Sequence, residues 1–308
     1  MGYRLIQDET LPRGLKRIAR EEIDSAIAQL GEKDPSKRDF AIHEARKSIK
    51  KLRGLMRMLS PVLGIAAQED IAALGALGRS LSDLRDAAAL VEAVDLLVRH
   101  TQEPDSLEQL SDLRRALEKR SHETIRRSDL QVILEAAIIG LRQVKRHIAA
   151  WRMEDRFDAI APGLRQSYRR GRKALKRARA ESTAENFHGL RKRVKDRWYQ
   201  VRILEGVWPH PDRSREKELR ELQEDLGDDH NLDVLREFIP AESCALLELL
   251  EVTQRRLREK SLAAAADLYD CKPDAYVQDL RSLWEGWQPA PRITSRSQTA
   301  TRRARSAA

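Results

Sequence analysis

Two short segments of this sequence crowd cations behind a histidine. FAIHEARKSIKKLRGLMRML, residues 40–59, carries His43, Arg46, Lys47, Lys50, Lys51, Arg53 and Arg57. NFHGLRKRVKDRWYQVRIL, residues 186–204, carries His188, Arg191, Lys192, Lys195, Arg197 and Arg202. A guanidinium offers oxyanions a planar fork, whereas an ammonium is a mobile point charge. Mixed in this way, with no glycine-rich cradle, they suit repeated phosphates on a flexible chain. The phosphate-loop pattern GxxxxGK[ST], the dinucleotide pattern GxGxxG and the zinc pattern HExxH are all absent from the sequence.

Both segments read as helices. At ~100° per residue, with Ile42 at zero, Ala45, Ile49, Leu52, Met56 and Leu59 fall between roughly 260° and 340°. Arg53, Arg46, Arg57, Lys50, His43 and Lys47 fall between roughly 20° and 140°. Arg191, Arg202, Lys195, His188 and Lys192 take the same arc in the second segment. A run of charge is most often a solvated helix face, but such faces intersperse acids to relieve repulsion. These arcs contain no acid in either copy, while Glu205 to Glu251 is strongly acidic. Charge is therefore segregated, and the arcs are expected to meet an anion. A third stripe, Arg165, Arg169, Arg172 and Lys176, lies on one face of the preceding segment. Its first-half counterpart, Arg13, Lys16, Arg17 and Arg20, is weaker. Single-strand nucleic acid binders interleave aromatics for base stacking. The first arc has none and the second has only Trp198 and Tyr199 nearby, which favours a polyanion without bases.

The elements that must carry these arcs are helices throughout. The chain is 41% hydrophobic and 35% charged, with few aromatics and few glycines, a composition of amphipathic helices. No alternating strand and no Asn-Gly hairpin signal stands out. Breakers at Pro12, Gly31–Pro35, Ser60–Pro61, Pro104, Pro162–Gly163, Trp208–Pro211, Pro240 and Pro273 divide it into roughly ten helical segments. Short connections make neighbours antiparallel, so bundles are expected. The net charge is +9, but the last twenty residues hold five arginines and no acid, leaving +4 for the remainder. Residues 289–308 are expected to be a disordered basic tail of minor importance. Cys244 and Cys271 have no metal-type spacing and are expected to be reduced thiols. No metal ligation or cofactor is indicated. The first residues lack the apolar core of a secretory signal, and the longest apolar run is too short to span a bilayer. A soluble, cytoplasmic protein without membrane contact is expected.

His43 and His188 lie 145 residues apart, and at the same offset Arg46, Lys47, Lys50 and Arg57 match Arg191, Lys192, Lys195 and Arg202. The register persists into the next segment, where Leu81, Asp83 and Leu90 match Leu226, Asp228 and Leu235. A shared offset over two helices indicates a duplicated unit, with halves at 10–150 and 158–287. Arg85 and its counterpart His230 are secondary candidates for ligand contact, as are Lys51 and Arg197. Asp86 and Asn231 read better as capping groups.

The paired H-x-x-R-K-x-x-K helices, each followed by an L-x-D-L-R-D or L-G-D-D-H-N-L-D segment, resemble the CHAD family, the conserved histidine α-helical domain. The resemblance covers about residues 10–287. It implies an all-α fold of two helical bundles related by a pseudo-two-fold, with basic helices that bind inorganic polyphosphate, and association with polyphosphate granules. Carried over, the ligand residues are His43, Arg46, Lys47, Lys50, Arg53 and Arg57, then His188, Arg191, Lys192, Lys195 and Arg202. The family's usual Leu-Arg-Tyr is Arg197-Trp198-Tyr199 here, so the expected arginine position holds Trp198. The ExExK entry of the triphosphate-hydrolysing domain that accompanies some members is absent, and no hydrolase activity is expected. Two other classes stay open beside a non-enzymatic polyphosphate module. One is a nucleic-acid-binding or other polyanion-binding protein. The other is a phosphate-transfer enzyme, although neither an acidic metal cluster nor a nucleophile accompanies the motif residues.

Overall fold

The computed structural model describes residues 2–81, 86–127, 130–208 and 214–287 of the 308. Arg85 and the basic tail at 289–308 lie outside the described residues. Eleven α-helices occur among the described residues, with no strand: α1 (Leu11–Leu30), α2 (Arg38–Leu63), α3 (Ile65–Ser80), α4 (Asp86–Val98), α5 (Pro104–Arg127), α6 (Leu130–Ala149), α7 (Ala161–Ala180), α8 (Ala184–Ile203), α9 (Ser214–Arg236), α10 (Cys244–Leu268) and α11 (Pro273–Trp287). The all-α expectation therefore holds.

Local chemistry sets the ends of the two helices that carry the arcs. A short 3₁₀ turn, Pro35–Lys37, leads into α2, and the Asp34 side chain caps it at the Ser36 N–H, 2.9 Å away. Ser60–Pro61 does not stop α2, which continues to Leu63. Proline cannot donate to the carbonyl four residues back. The Ser60 hydroxyl donates to that same carbonyl, of Arg57, at 3.2 Å, so the acceptor is satisfied. The stop falls at Gly64, whose φ of +71° suits glycine and turns the chain directly into α3. Helix α8 starts on Thr183, whose hydroxyl accepts from the Asn186 N–H at 3.3 Å.

Helix α2 packs against α1, α3, α7 and α8, and α8 packs against α2, α7 and α9. The α2 residues Leu52, Leu55 and Met58 share one core with Leu164 and Tyr168 of α7 and Leu190 and Val194 of α8. A second core joins Leu90, Val94 and Leu97 of α4 and Leu110 of α5 to Leu232 and Leu235 of α9 and Leu250 of α10. Both cores thus cross the sequence midpoint. Each fully buried Leu contributes on the order of 1.5–3 kcal/mol, so these contacts hold α2 and α8 at a fixed separation. Two glycines of α7 allow close approach. A Cβ on Gly163 would lie 1.7 Å from the Met58 carbonyl oxygen, and one on Gly171 would lie 2.3 Å from the Tyr269 ring.

Candidate anion-binding groove

On the helical wheel, Gly54 of α2 and Tyr199 of α8 occupy equivalent positions, both inside the cationic arcs. They meet in space: a Cβ on Gly54 would come within 3.0 Å of the Tyr199 ring. The two arcs therefore face each other across this contact. Between them lies a cavity of about 370 Å³ lined by Lys50, Arg53 and Arg57 from α2 and by His188, Arg191, Lys192, Arg193, Lys195, Asp196 and Tyr199 from α8. Among the described residues, seven cations and one carboxylate line it.

The protein holds these charges at a cost. Burial pushes the Lys195 ammonium down to about 8, reinforced by Arg191, Arg46 and Lys47. Arg46 and Lys47 of the first segment thus add to the field at Lys195. Burial also holds the Arg53 and Arg191 guanidiniums below the ordinary arginine range. The His188 and His230 rings pack 4.4 Å apart. Both are pushed down to about 4, first by burial and then by neighbouring positive charge, Lys50 acting on His230. Both imidazoles are therefore neutral near pH 7. His188 Nδ1, Arg53 Nε and Arg191 Nε are buried without a hydrogen-bond partner among the described residues. Arg191, Lys192 and Lys195 form no salt bridge there either, whereas Arg57 and Arg193 both pair with Asp196, Arg193 at 3.4 Å.

The remaining sequence-derived candidates spread out. His43 and Lys47 share Glu44, at 3.7 and 3.3 Å, so an acid outside the arc reaches its edge. Lys51 turns to α1 and pairs with Glu22 at 2.8 Å. Arg202 lies over the rings of Trp198 and Tyr3 rather than in the cavity wall. In the third stripe, Arg165 pairs with Asp274 of α11 at 2.7 Å and Arg172 donates to the Cys271 carbonyl. Arg169 and Lys176 are exposed, and no member of that stripe lines the cavity. Arg197 requires a correction. It is 5% exposed, enclosed by the rings of Tyr168, Tyr269 and Tyr276 at 4.8–5.0 Å, and it donates to the Leu268 carbonyl. Its place on the apolar arc of α8 turns it into the core, where it braces α7, α10 and α11.

The sequence profile of the CHAD domain matches residues 21–240. The chain belongs to the CHAD domain family. The crystal structure of the CHAD domain from the plant Ricinus communis is similar in fold, with a TM-score of 0.50 and 19% identity over 91% of this chain and 94% of that one. Curated proteins yield no match. Within this CHAD domain, two groove residues lie outside the arcs read from sequence, Arg193 and Asp196 of α8. His230 of α9, a secondary candidate from the repeat register, packs on His188 at the edge of the groove. Arg170 of α7 feels the charges of Arg193, Asp196 and Arg57, while burial and its cationic neighbours lower it. The signal of Arg193 and Asp196 in sequence was only that both lie within a motif segment, since the partner helices fix where they point.

Proposed function

We propose that this CHAD domain binds inorganic polyphosphate in the groove between α2 and α8 and is recruited by it to polyphosphate granules, without turning it over. The carrying observation is the convergence of both histidine-led helices on one cavity lined, among the described residues, by seven cations and a single acid. Desolvated cations with no salt bridge among the described residues, such as Arg191 and Lys195, gain most from an anion that enters the groove. The family resemblance supplies polyphosphate as the anion. Base stacking finds little support. Tyr199 is 2% exposed, and Trp198 donates to Glu216 at 2.8 Å beneath Arg202. A polymer of phosphates alone suits such a groove better than RNA.

Titration with long-chain polyphosphate at several salt concentrations tests this. Affinity is expected to fall steeply with salt, with a log–log slope of about −0.7 per neutralised phosphate if the polymer releases counterions as single strands do. No binding at low salt, or a flat salt profile, contradicts the assignment. RNA at matched phosphate concentration is expected to displace the polymer poorly. Incubation with Mg²⁺ is expected to release no phosphate.

Binding is also expected to take up protons. An anion in the groove favours the charged form of Lys195, so its proton affinity rises above the free-state value of about 8. The bound state then holds more protons than the free state, and affinity falls as pH climbs from 7 through 9. Calorimetry at pH 8.5 in buffers of different ionisation enthalpy reads this uptake directly. Lys195→Met should abolish most of it.

A further inference from the structure

Among the described residues, Asp196 is the one acid in the cavity wall, and it is buried at 5% exposure. One carboxylate oxygen takes Arg57 of α2 and the other takes Arg193 of α8 at 3.4 Å, so it ties the two helices together across the groove. Arg53 of α2 and Arg170 of α7 also lie within its electrostatic reach. The position 145 residues earlier is Lys51, which leaves the groove for Glu22. The acid is therefore a feature of one half alone. It divides the groove into a stretch at Arg191, Lys192 and Lys195, which form no salt bridge among the described residues, and a stretch whose cations Arg57 and Arg193 are already engaged.

We propose that Asp196 is a resident anion, a carboxylate that occupies one phosphate position and sets a minimum length on the polymer that can displace it. A short oligophosphate satisfies the stretch at Arg191, Lys192 and Lys195 and stops there. A longer chain, already anchored, presents its next phosphates to Arg57 and Arg193 at high effective concentration and competes successfully with one carboxylate. Burial pushes the Asp196 carboxyl up, while Arg57 and Arg193 beside it favour its charged form. The free protein thus gains a counter-ion that relieves repulsion among its arginines, and the bound protein exchanges it for phosphate. Discrimination by length follows from competition, with no change in the shape of the groove.

Because this rests on polyphosphate as the ligand, the unsubstituted protein is titrated alongside Asp196→Asn with tripolyphosphate and with long-chain polyphosphate. Asp196→Asn is expected to bind tripolyphosphate about threefold to tenfold more tightly and the long chain with a smaller gain, so the length preference narrows. Its melting temperature should fall without ligand, and its ligand-induced rise should exceed that of the unsubstituted protein. Unchanged tripolyphosphate affinity overturns the proposal. Weaker binding at both lengths by a folded variant also overturns it, and assigns Asp196 to holding Arg57 and Arg193 in place. In the unsubstituted protein, which needs no variant to fold, the Asp196 side-chain carboxyl ¹³C resonance should move when long-chain polyphosphate is added and stay still with tripolyphosphate. A resonance that long-chain polyphosphate leaves unmoved overturns the proposal as well. If the unsubstituted protein binds neither ligand, polyphosphate itself falls as the ligand.

Discussion

Replacing Arg191, Lys192 and Lys195 together with methionine is expected to weaken long-chain polyphosphate binding by about 10²- to 10³-fold. A lost charge-assisted hydrogen bond costs about 1.5–3 kcal/mol, three losses within one site overlap rather than add, and each 1.4 kcal/mol is tenfold in affinity. Folding should respond in the opposite direction. The Lys195 ammonium, at about 8, lies below its unfolded value, so the unfolded chain binds more protons between about 8 and 10.5. Its burial therefore costs stability at neutral pH, and that cost is relieved as pH rises through the window. Removing it should leave the melting temperature unchanged or higher at pH 7. Anisotropy titration and a thermal melt on the same preparation check both halves of the prediction. Lost affinity accompanied by lost stability would point to damaged folding instead. The set Lys50, Arg53 and Arg57 lines the same cavity and should weaken the same binding event. Combining the two sets should cost less than the sum of their separate effects, since one site is being emptied twice.

The sequence exposed the arcs because helical periodicity is a property of each segment by itself. Lys50, Arg53, Arg57, Arg191, Lys192 and Lys195 could be placed on one face from spacing, and the 145-residue offset paired the two helices. What a helical wheel leaves open is the neighbour that covers each angle. Arg165 and Arg172 share a face with Arg169, yet α11 and the segment before it supply Asp274 and the Cys271 carbonyl to those two. Arg197 lies at an apolar angle, and three tyrosines distant in sequence make that angle habitable for a guanidinium. Asp196 lies outside the arc on α8, and it faces the groove because Arg57 reaches it from α2. Helix ends were more legible than helix partners: α2 closes at Leu63, just past the Ser60–Pro61 pair that marks the neighbourhood of its end.

Gly163→Ala is expected to destabilise the protein by about 3–5 kcal/mol, a large part of a typical folding free energy. The added Cβ would stand 1.7 Å from the Met58 carbonyl oxygen and 2.5 Å from its carbon. Those are backbone atoms of α2, so no rotamer change relieves the clash and α7 must move away. Leu164 and Tyr168, buried behind the contact, would move with it. The same displacement would carry Arg170 away from Arg57 and Arg193, so polyphosphate affinity should fall as well. Gly189→Ala is the control. It also lies within a helix, but nothing stands within 4 Å of its would-be Cβ, and the change should be neutral or stabilising by up to about 1 kcal/mol. Urea melts of the two variants beside the unsubstituted protein read the difference.

On the proposed reading, polyphosphate lies between α2 and α8. A crystal structure of the protein grown with an oligophosphate of defined length tests that placement. A chain of phosphate density is expected to run through the groove, within hydrogen-bond distance of Lys50, Arg191 and Lys195, with His188 beside it. The cations Arg20, Arg142, Lys145 and Arg146 line a separate cavity between α1 and α6, with Lys145 paired to Asp24. Ordered phosphate there, with the α2–α8 groove empty, would overturn that placement.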